Sequence, residues 1–305
     1  MKHWCSRILA MRLRDIRRPA AALAVLIVIA GSSVNSRSQQ PAPPPSGGGM
    51  ASHGGMPVLN DDWPKAKLDK SPRHQEWVSI KYGSRTVQAF VVYPEVKEKA
   101  PVVLVIHEIF GLSNWARSMA DDLAAAGYIA IAPDLLSGFG PSGGGTDQFA
   151  DQSARVKAVS GLDPKIVTSD LDATADYAKK LPASNGKLAV VGFCWGGSNS
   201  FAFATHRKDL SAAFVFYGTG PDAGAIASIS APVYGFYAGN DSRVDATVPG
   251  TTEAMKAAGK KYEPVTYDGA GHGFMRAGEA PDASPENAKA REEGLKRLTA
   301  LLKGI

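Results

Sequence analysis

The stretch Val190-Val191-Gly192-Phe193-Cys194-Trp195-Gly196-Gly197 constrains this chain more than any other. An apolar run ends in Gly-x-Cys-x-Gly-Gly and passes straight into Ser198-Asn199-Ser200-Phe201-Ala202-Phe203-Ala204, which reads as a helix. Glycines two before and two after a nucleophile-type residue, at a strand-to-helix junction, describe a nucleophile elbow. The turn is tight, and a Cβ at the flanking positions would clash with the backbone that crowds it. The central side chain is then held in a strained conformation above the sheet, beside the positive end of the helix. The residue at that point is a cysteine where a serine is more usual.

Around this turn the chain alternates strands and helices. Residues 76–82 alternate polar and apolar, and 86–92 follow a Gly83-Ser84 turn, which predicts an antiparallel hairpin. Residues 101–106 form a continuous apolar run of the kind buried on both faces of a parallel sheet. Further strands are expected over 128–133, 188–193, 212–217, 233–238 and 263–267. Helices are expected over 113–126, with Ser113 as N-cap and Gly127 as stop, and over 164–181, 195–205, 248–258 and 286–302. The last carries Leu295, Leu298, Leu301 and Leu302 at amphipathic spacing. Such alternation implies an α/β fold with a mostly parallel, doubly wound sheet and ligands at the strand C-termini. The glycine-rich segment 135–161 departs from the pattern. It reads equally as a lid or recognition loop and as a surface excursion without a role.

The chain has 305 residues and a formal net charge of +5, which raises the question of a nucleic-acid or membrane partner. The location of the charge answers it. Lys2, Arg7, Arg12, Arg14, Arg17 and Arg18 face Asp15 alone within residues 1–30, so the leader holds the whole excess and the remainder is balanced. Ala20 to Ala30 is an apolar core of eleven residues followed by Gly31-Ser32-Ser33. A comfortable membrane span needs roughly 20 residues, whereas a signal-peptide core needs about 7–15. The expectation is a signal peptide or N-terminal anchor over 1–31 and a flexible Pro/Gly/Ser-rich linker over 32–57, where His53 is simply solvated. A single folded domain then runs over 58–305. The mature protein is expected to be exported, periplasmic or secreted, with an uncleaved anchor as the alternative. With Cys5 in the leader, Cys194 is the only cysteine of that domain and no internal disulfide is available.

Three further strand ends carry polar residues. The strand over 101–106 ends in His107-Glu108-Ile109-Phe110-Gly111, that over 233–238 in Gly239-Asn240-Asp241, and that over 263–267 in Asp268-Gly269-Ala270-Gly271-His272-Gly273-Phe274. The order nucleophile, acid, histidine and the spacing between them are those of α/β-hydrolases. A thiol attacks as thiolate, which a histidine partner and a helix N-terminus favour. An Asp on the other ring nitrogen fixes the tautomer and steadies the imidazolium. The amides of Trp195, just after the nucleophile, and of Ile109 are the candidate oxyanion donors. His107 and His206 are read as structural.

His-Glu-Ile-Phe-Gly at 107–111, Gly-x-Cys-x-Gly-Gly at 192–197, Asp241 and Gly-His-Gly-Phe-x-Arg at 271–276 resemble the dienelactone hydrolase family, from about Trp77 to the C-terminus. The resemblance implies an α/β-hydrolase fold with Cys194, Asp241 and His272 as catalytic triad and no metal or organic cofactor. It implies hydrolysis of a small ester or lactone, as in the conversion of dienelactone to maleylacetate by carboxymethylenebutenolidase. It also implies a role for Glu108, paired with Arg276 at rest and released as a base when a substrate carboxylate takes the arginine. Where the family has a second carboxylate-binding arginine, Gln152 stands here, and Arg155, nearly one helical turn on, is a candidate replacement that is not expected to complete the pair. The partner is therefore a small ester or lactone, with no nucleic acid and no membrane beyond the leader, acted on by a monomer. The alternative reading is a non-catalytic ligand-binding or interaction domain on a hydrolase scaffold. A thiol redox protein would lack a resolving cysteine.

Overall fold

The structure, a computed structural model, describes residues 59–305; the leader expected over 1–31 and the linker expected over 32–57 lie outside the described residues. Eight strands form one sheet: β1 (Gln75–Tyr82), β2 (Arg85–Val92), β3 (Ala100–Ile106), β4 (Ile129–Asp134), β5 (Ser184–Phe193), β6 (Ala212–Phe216), β7 (Val233–Ala238) and β8 (Tyr262–Tyr267). Their spatial order is β1-β2-β4-β3-β5-β6-β7-β8. The β1–β2 hairpin is antiparallel, β2 joins β4 antiparallel, and every later pairing is parallel. This is the expected doubly wound sheet with its N-terminal hairpin.

The connections are α1 (Asp62–Asp69), α2 (Asn114–Ala125), α3 (Gln152–Ser160), α4 (Pro164–Lys179), α5 (Trp195–His206), α6 (Ala223–Ile226), α7 (Ser242–Asp245), α8 (Val248–Ala257), α9 (Phe274–Ala277) and α10 (Pro285–Leu302). Period-two alternation along the central strands sends side chains to two cores. Val103 and Val105, Val191 and Phe193, and Phe214 and Phe216 join one core with Trp115 and Met119 of α2 and Leu298 of α10. Val102 and Leu104, Leu188 and Val190, and Ala213 and Val215 join the other with Leu171 of α4 and Phe201 of α5. Both faces are covered, so the strands read as continuous apolar runs.

Helix termini follow local chemistry. Ser113 Oγ caps α2 by accepting from Ala116 N, and Ser284 Oγ caps α10 by accepting from Asn287 N. The buried seam of α10 differs from the leucine pattern: it is Ala290, Gly294, Leu298 and Leu302, with Leu295 and Leu301 only partly buried. A Cβ on Gly294 would sit 3.3 Å from Phe274 and 3.4 Å from Met275. Small residues are what let α10 approach α9 that closely.

The chain turns from β3 to β4 on one side, then crosses back to β5 on the other, with Ile106 opposite Gly192. That reversal opens a crevice at the C-terminal ends of β3 and β5, where a doubly wound sheet binds its ligands.

The segment 135–161 is anchored to the domain rather than free. It contains α3, which the sequence pattern did not anticipate, and Leu135, Leu136 and Thr146 within it are buried. Asp134 pins it: the carboxylate accepts from Thr146 N and Thr146 Oγ1, both at 2.7 Å, and from Leu136 N. Thr146 Oγ1 accepts in turn from Leu112 N, tying the segment to the loop that enters α2. Thr146→Val should therefore strip Asp134 and Leu112 of buried partners and lower stability by about 1–3 kcal/mol. A urea midpoint equal to that of wild type would show that the segment is not anchored this way.

Candidate active site

Four strand ends meet at the crevice. Cys194 follows β5 and adopts φ 57°, ψ −117°, a left-handed conformation rare for a residue with a Cβ. Its backbone is held on both sides: Cys194 N donates to Phe216 O, and Ser198 N donates to Cys194 O. A Cβ on Gly192 would overlap the carbonyl oxygen of Gly196, and one on Gly196 would overlap the carbonyls of Ile106 and His107. These are backbone contacts that no rotamer relieves, which is why both positions are glycine.

Asp241 follows β7, capping the short α7, and His272 lies in the loop between β8 and α9. His272 Nε2 lies 3.1 Å from Cys194 Sγ, and His272 Nδ1 lies 2.5 Å from Asp241 Oδ2. The other oxygen, Asp241 Oδ1, accepts from Val244 N. Gly273, next to His272, takes φ +78°, a left-handed value that spares the turn a Cβ penalty. Thus the three residues singled out in the sequence form one hydrogen-bonded chain.

Electrostatics follow the geometry. Burial alone would pull the His272 imidazolium down, but the hydrogen bonds and charges of Asp241 and Cys194 outweigh it and push its pKa up to about 9 from 6.5. Burial likewise raises the Asp241 carboxyl, and the His272 hydrogen bond reverses that into a net lowering.

Glu108, one residue beyond His107 after β3, is buried, and its carboxylate is engaged twice. Arg276 Nε donates to Oε2 at 2.8 Å, and Tyr217 OH donates to Oε1 at 3.3 Å. Burial would lower the Arg276 guanidinium, and the Glu108 charge more than offsets it, so the arginine stays protonated. Burial first and the Glu108 charge second hold the Tyr217 phenol well above its usual range, keeping it a donor. The hydrogen bonds of Glu108 go to Arg276 and Tyr217, while Cys194 Sγ is engaged by His272. Arg276 also lies over the Phe110 ring, 5.2 Å from its centre.

A cavity of about 520 Å³ opens onto these groups, lined among others by Ile109, Phe110, Trp195, Ser198 and Thr219. The amides of Trp195 and Ile109 make no hydrogen bond to any described residue. Trp195 starts α5, so its amide is one of the donors that a helix leaves open. His107 is fully buried and stacks on Trp195 at 5.5 Å. Its Nδ1 meets Glu108 O at 2.7 Å, so Nδ1 carries the proton, and burial keeps the ring neutral. His206 lies far from this crevice, at the other end of α5, against Asp172 at 2.6 Å.

The cavity corrects one candidate and adds others. Arg155 does not line it; its charge acts on Asp61, and its Nε is buried without a hydrogen bond. It sits on α3, whose packing in the anchored segment 135–161 turns it to the N-terminal side of α2. Gln152 Oε1 accepts from Leu59 N. No residue of 135–161 lines the cavity. Tyr217, Thr219 and Arg243 were missed. The first two follow β6, the one neighbouring strand end whose residues carry no motif, and Arg243 is exposed on α7. Among the described residues, no group of three or more His, Cys, Asp or Glu is placed to hold a metal ion, and no helix is long and apolar enough to cross a membrane.

The raised His272 pKa couples proton binding to folding. A proton bound more tightly in the native state contributes stability that is fully present below about 6.5 and lost as pH rises through about 9. The gap in urea midpoint between wild type and His272→Gln should therefore narrow from pH 6 to pH 10. A gap that stays constant would mean that the Asp241–His272–Cys194 chain does not hold the extra proton.

A model of the family described as dienelactone hydrolase matches residues 87–305. A carboxymethylenebutenolidase of Pseudomonas putida is 30% identical over 234 residues, spanning 74% of this chain and 97% of that protein. A protein of Methylorubrum extorquens, provisionally named carboxymethylenebutenolidase, is 33% identical over 234 residues, 72% of this chain and 78% of its own. The crystal structure of a provisionally named dienelactone hydrolase from Klebsiella pneumoniae superposes with a TM-score of 0.67 at 28% identity, covering 76% of this chain and 99% of that one. A dienelactone hydrolase-like promiscuous phosphotriesterase from metagenomic libraries shares the fold, with a TM-score of 0.64 at 23% identity over 76% of this chain and 98% of its own.

Proposed function

This chain belongs to the dienelactone hydrolase family of ester and lactone hydrolases, and on that footing we propose that it cleaves a small ester or lactone through a thioester on Cys194. The observation that carries the reading is the continuous chain from Cys194 Sγ through both nitrogens of His272 to Asp241, facing a cavity of about 520 Å³. The proton shared by Sγ and His272 Nε2 rests on the imidazole, whose pKa is raised to about 9, and Sγ adds to the acyl carbonyl as thiolate. The carbonyl oxygen becomes an oxyanion held by the amides of Ile109 and Trp195. The tetrahedral adduct collapses, the C–O bond breaks, and His272 returns the proton to the leaving alkoxide. Water then attacks the thioester and gives a proton to His272, the C–S bond breaks, and the carboxylic acid leaves with the Cys194–His272 pair restored. Asp241 holds the ring in the required tautomer throughout.

Glu108 and Arg276 act on the response to charge. A substrate carboxylate that reaches Arg276 competes with Glu108 for the guanidinium and frees a second base beside the nucleophile. A neutral ester leaves the pair closed. The carboxymethylenebutenolidase names of the relatives support a substrate of the carboxylate-bearing kind.

Cys194→Ala should lower turnover of short p-nitrophenyl esters by at least about 10³-fold, with circular dichroism unchanged. Intact-mass spectra of acid-quenched wild type should carry an acyl adduct that the variant lacks. Near-wild-type turnover in Cys194→Ala would overturn the assignment. Glu108→Gln, which keeps the shape and removes the base, should lower kcat on a carboxylate-bearing ester by about tenfold and on a neutral ester by less. Equal losses on both would count against the opening of the pair.

A further inference from the structure

Three side chains able to carry a positive charge line the cavity: His272, Arg276 and Arg243. Two of them are committed. His272 lies between Cys194 and Asp241, and Arg276 is closed by the buried carboxylate of Glu108. Arg243 makes no hydrogen bond and no ion pair with any described residue. It is exposed while lining the cavity, which puts it at the solvent end, and its charge reaches Asp241. Its place is not loose. It lies two residues after Asp241 on α7, which Asp241 itself caps through Val244 N, so its Cα is within about 7 Å of that of Asp241.

The rest of the wall offers apolar surface from Ile109, Phe110 and Trp195, and a hydroxyl pair in which Ser198 Oγ and Thr219 Oγ1 stand 3.1 Å apart. None of these calls for an anion. The open guanidinium does. An anion arriving at Arg276 must first unpair a carboxylate only 4% exposed, and an unpaired buried charge is costly. An anion arriving at Arg243 displaces only water.

We propose that Arg243 is the specificity-determining residue of this site, selecting esters or lactones that carry a second carboxylate and holding that carboxylate at the cavity mouth. The proposal rests on the hydrolase reading given above. Arg243 supplies the first, long-range attraction, and it places the anion where it can go on to compete for Arg276. The bonds made and broken at the carbonyl are unchanged.

The test compares p-nitrophenyl butyrate with the mono-p-nitrophenyl ester of glutaric acid, its acyl-chain counterpart with a terminal carboxylate. Arg243→Gln should lower the glutarate-to-butyrate ratio of kcat/KM by about tenfold, with the change carried by KM. Arg243→Lys should recover most of the ratio. Raising ionic strength from about 0.05 to about 0.5 M should lower the ratio in wild type and hardly move it in Arg243→Gln. An unchanged ratio in Arg243→Gln overturns the assignment while leaving the hydrolase reading intact. So does an equal loss on both esters with a shifted pH profile, which would mean that Arg243 merely tunes Asp241. A wild-type protein that turns over neither ester overturns the hydrolase reading, and this proposal with it.

Discussion

The site depends on one close approach of backbone to backbone. At Gly196 the start of α5 presses against the carbonyls of Ile106 and His107 at the end of β3, and at Gly192 the strand passes under the carbonyl of Gly196. Neither contact leaves room for a Cβ. The approach forces Cys194 into its left-handed conformation, and the amide bond to Phe216 O holds it there. Strain of this kind costs about 1–3 kcal/mol and persists only where surrounding structure over-determines it. Here the surroundings are four parallel strands in register, with Ile106 opposite Gly192 and Phe193 opposite Phe216. The same contact brings the loop after β3 beside the first turn of α5. Glu108, Ile109 and Trp195 therefore line the same cavity as the thiol.

Charge is distributed so that little of it is free. Glu108 and Arg276 neutralise one another in a buried pair that Tyr217 completes, and the phenol can donate there because burial keeps it protonated. Asp241 and His272 form a second pair whose imidazole turns its other nitrogen to sulfur. Buried pairs of this sort add little net stability over an apolar wall, but removing one partner strands the other. That makes them suited to a site that responds to an incoming anion. Arg243 remains outside both pairs, at the solvent-exposed end of the cavity.

Much of this was legible in local pattern. Glycine spacing around Cys194, a turn before Asp241 and glycines flanking His272 are short-range signals, because each reports what the backbone does within a few residues. The leucine spacing of 286–302 found α10 correctly yet misplaced its seam, which runs through Ala290 and Gly294. Hydrophobicity marks which residues are apolar; which of them face a neighbour depends on how near that neighbour stands, and α9 stands close. The glycine-rich stretch 135–161 looked free because its own composition is permissive. Its anchor, Asp134 on Thr146 and Thr146 on Leu112, joins residues that no local rule connects.

The sequence by itself determined the α/β alternation, the elbow, and the identity of Cys194, Asp241 and His272. These follow from strand period, turn chemistry and residue type, all of which act over short range. Only the tertiary structure decided which cations reach the cavity. Arg155, nearest along the chain to the expected position, is turned away by the packing of α3, while Arg243 is brought in by the cap that Asp241 places on α7. Tyr217 joins Glu108 across 109 residues of sequence for the same reason. Where a long side chain points is set by the elements packed around it, and those come together only when the sheet closes over the elbow at Cys194.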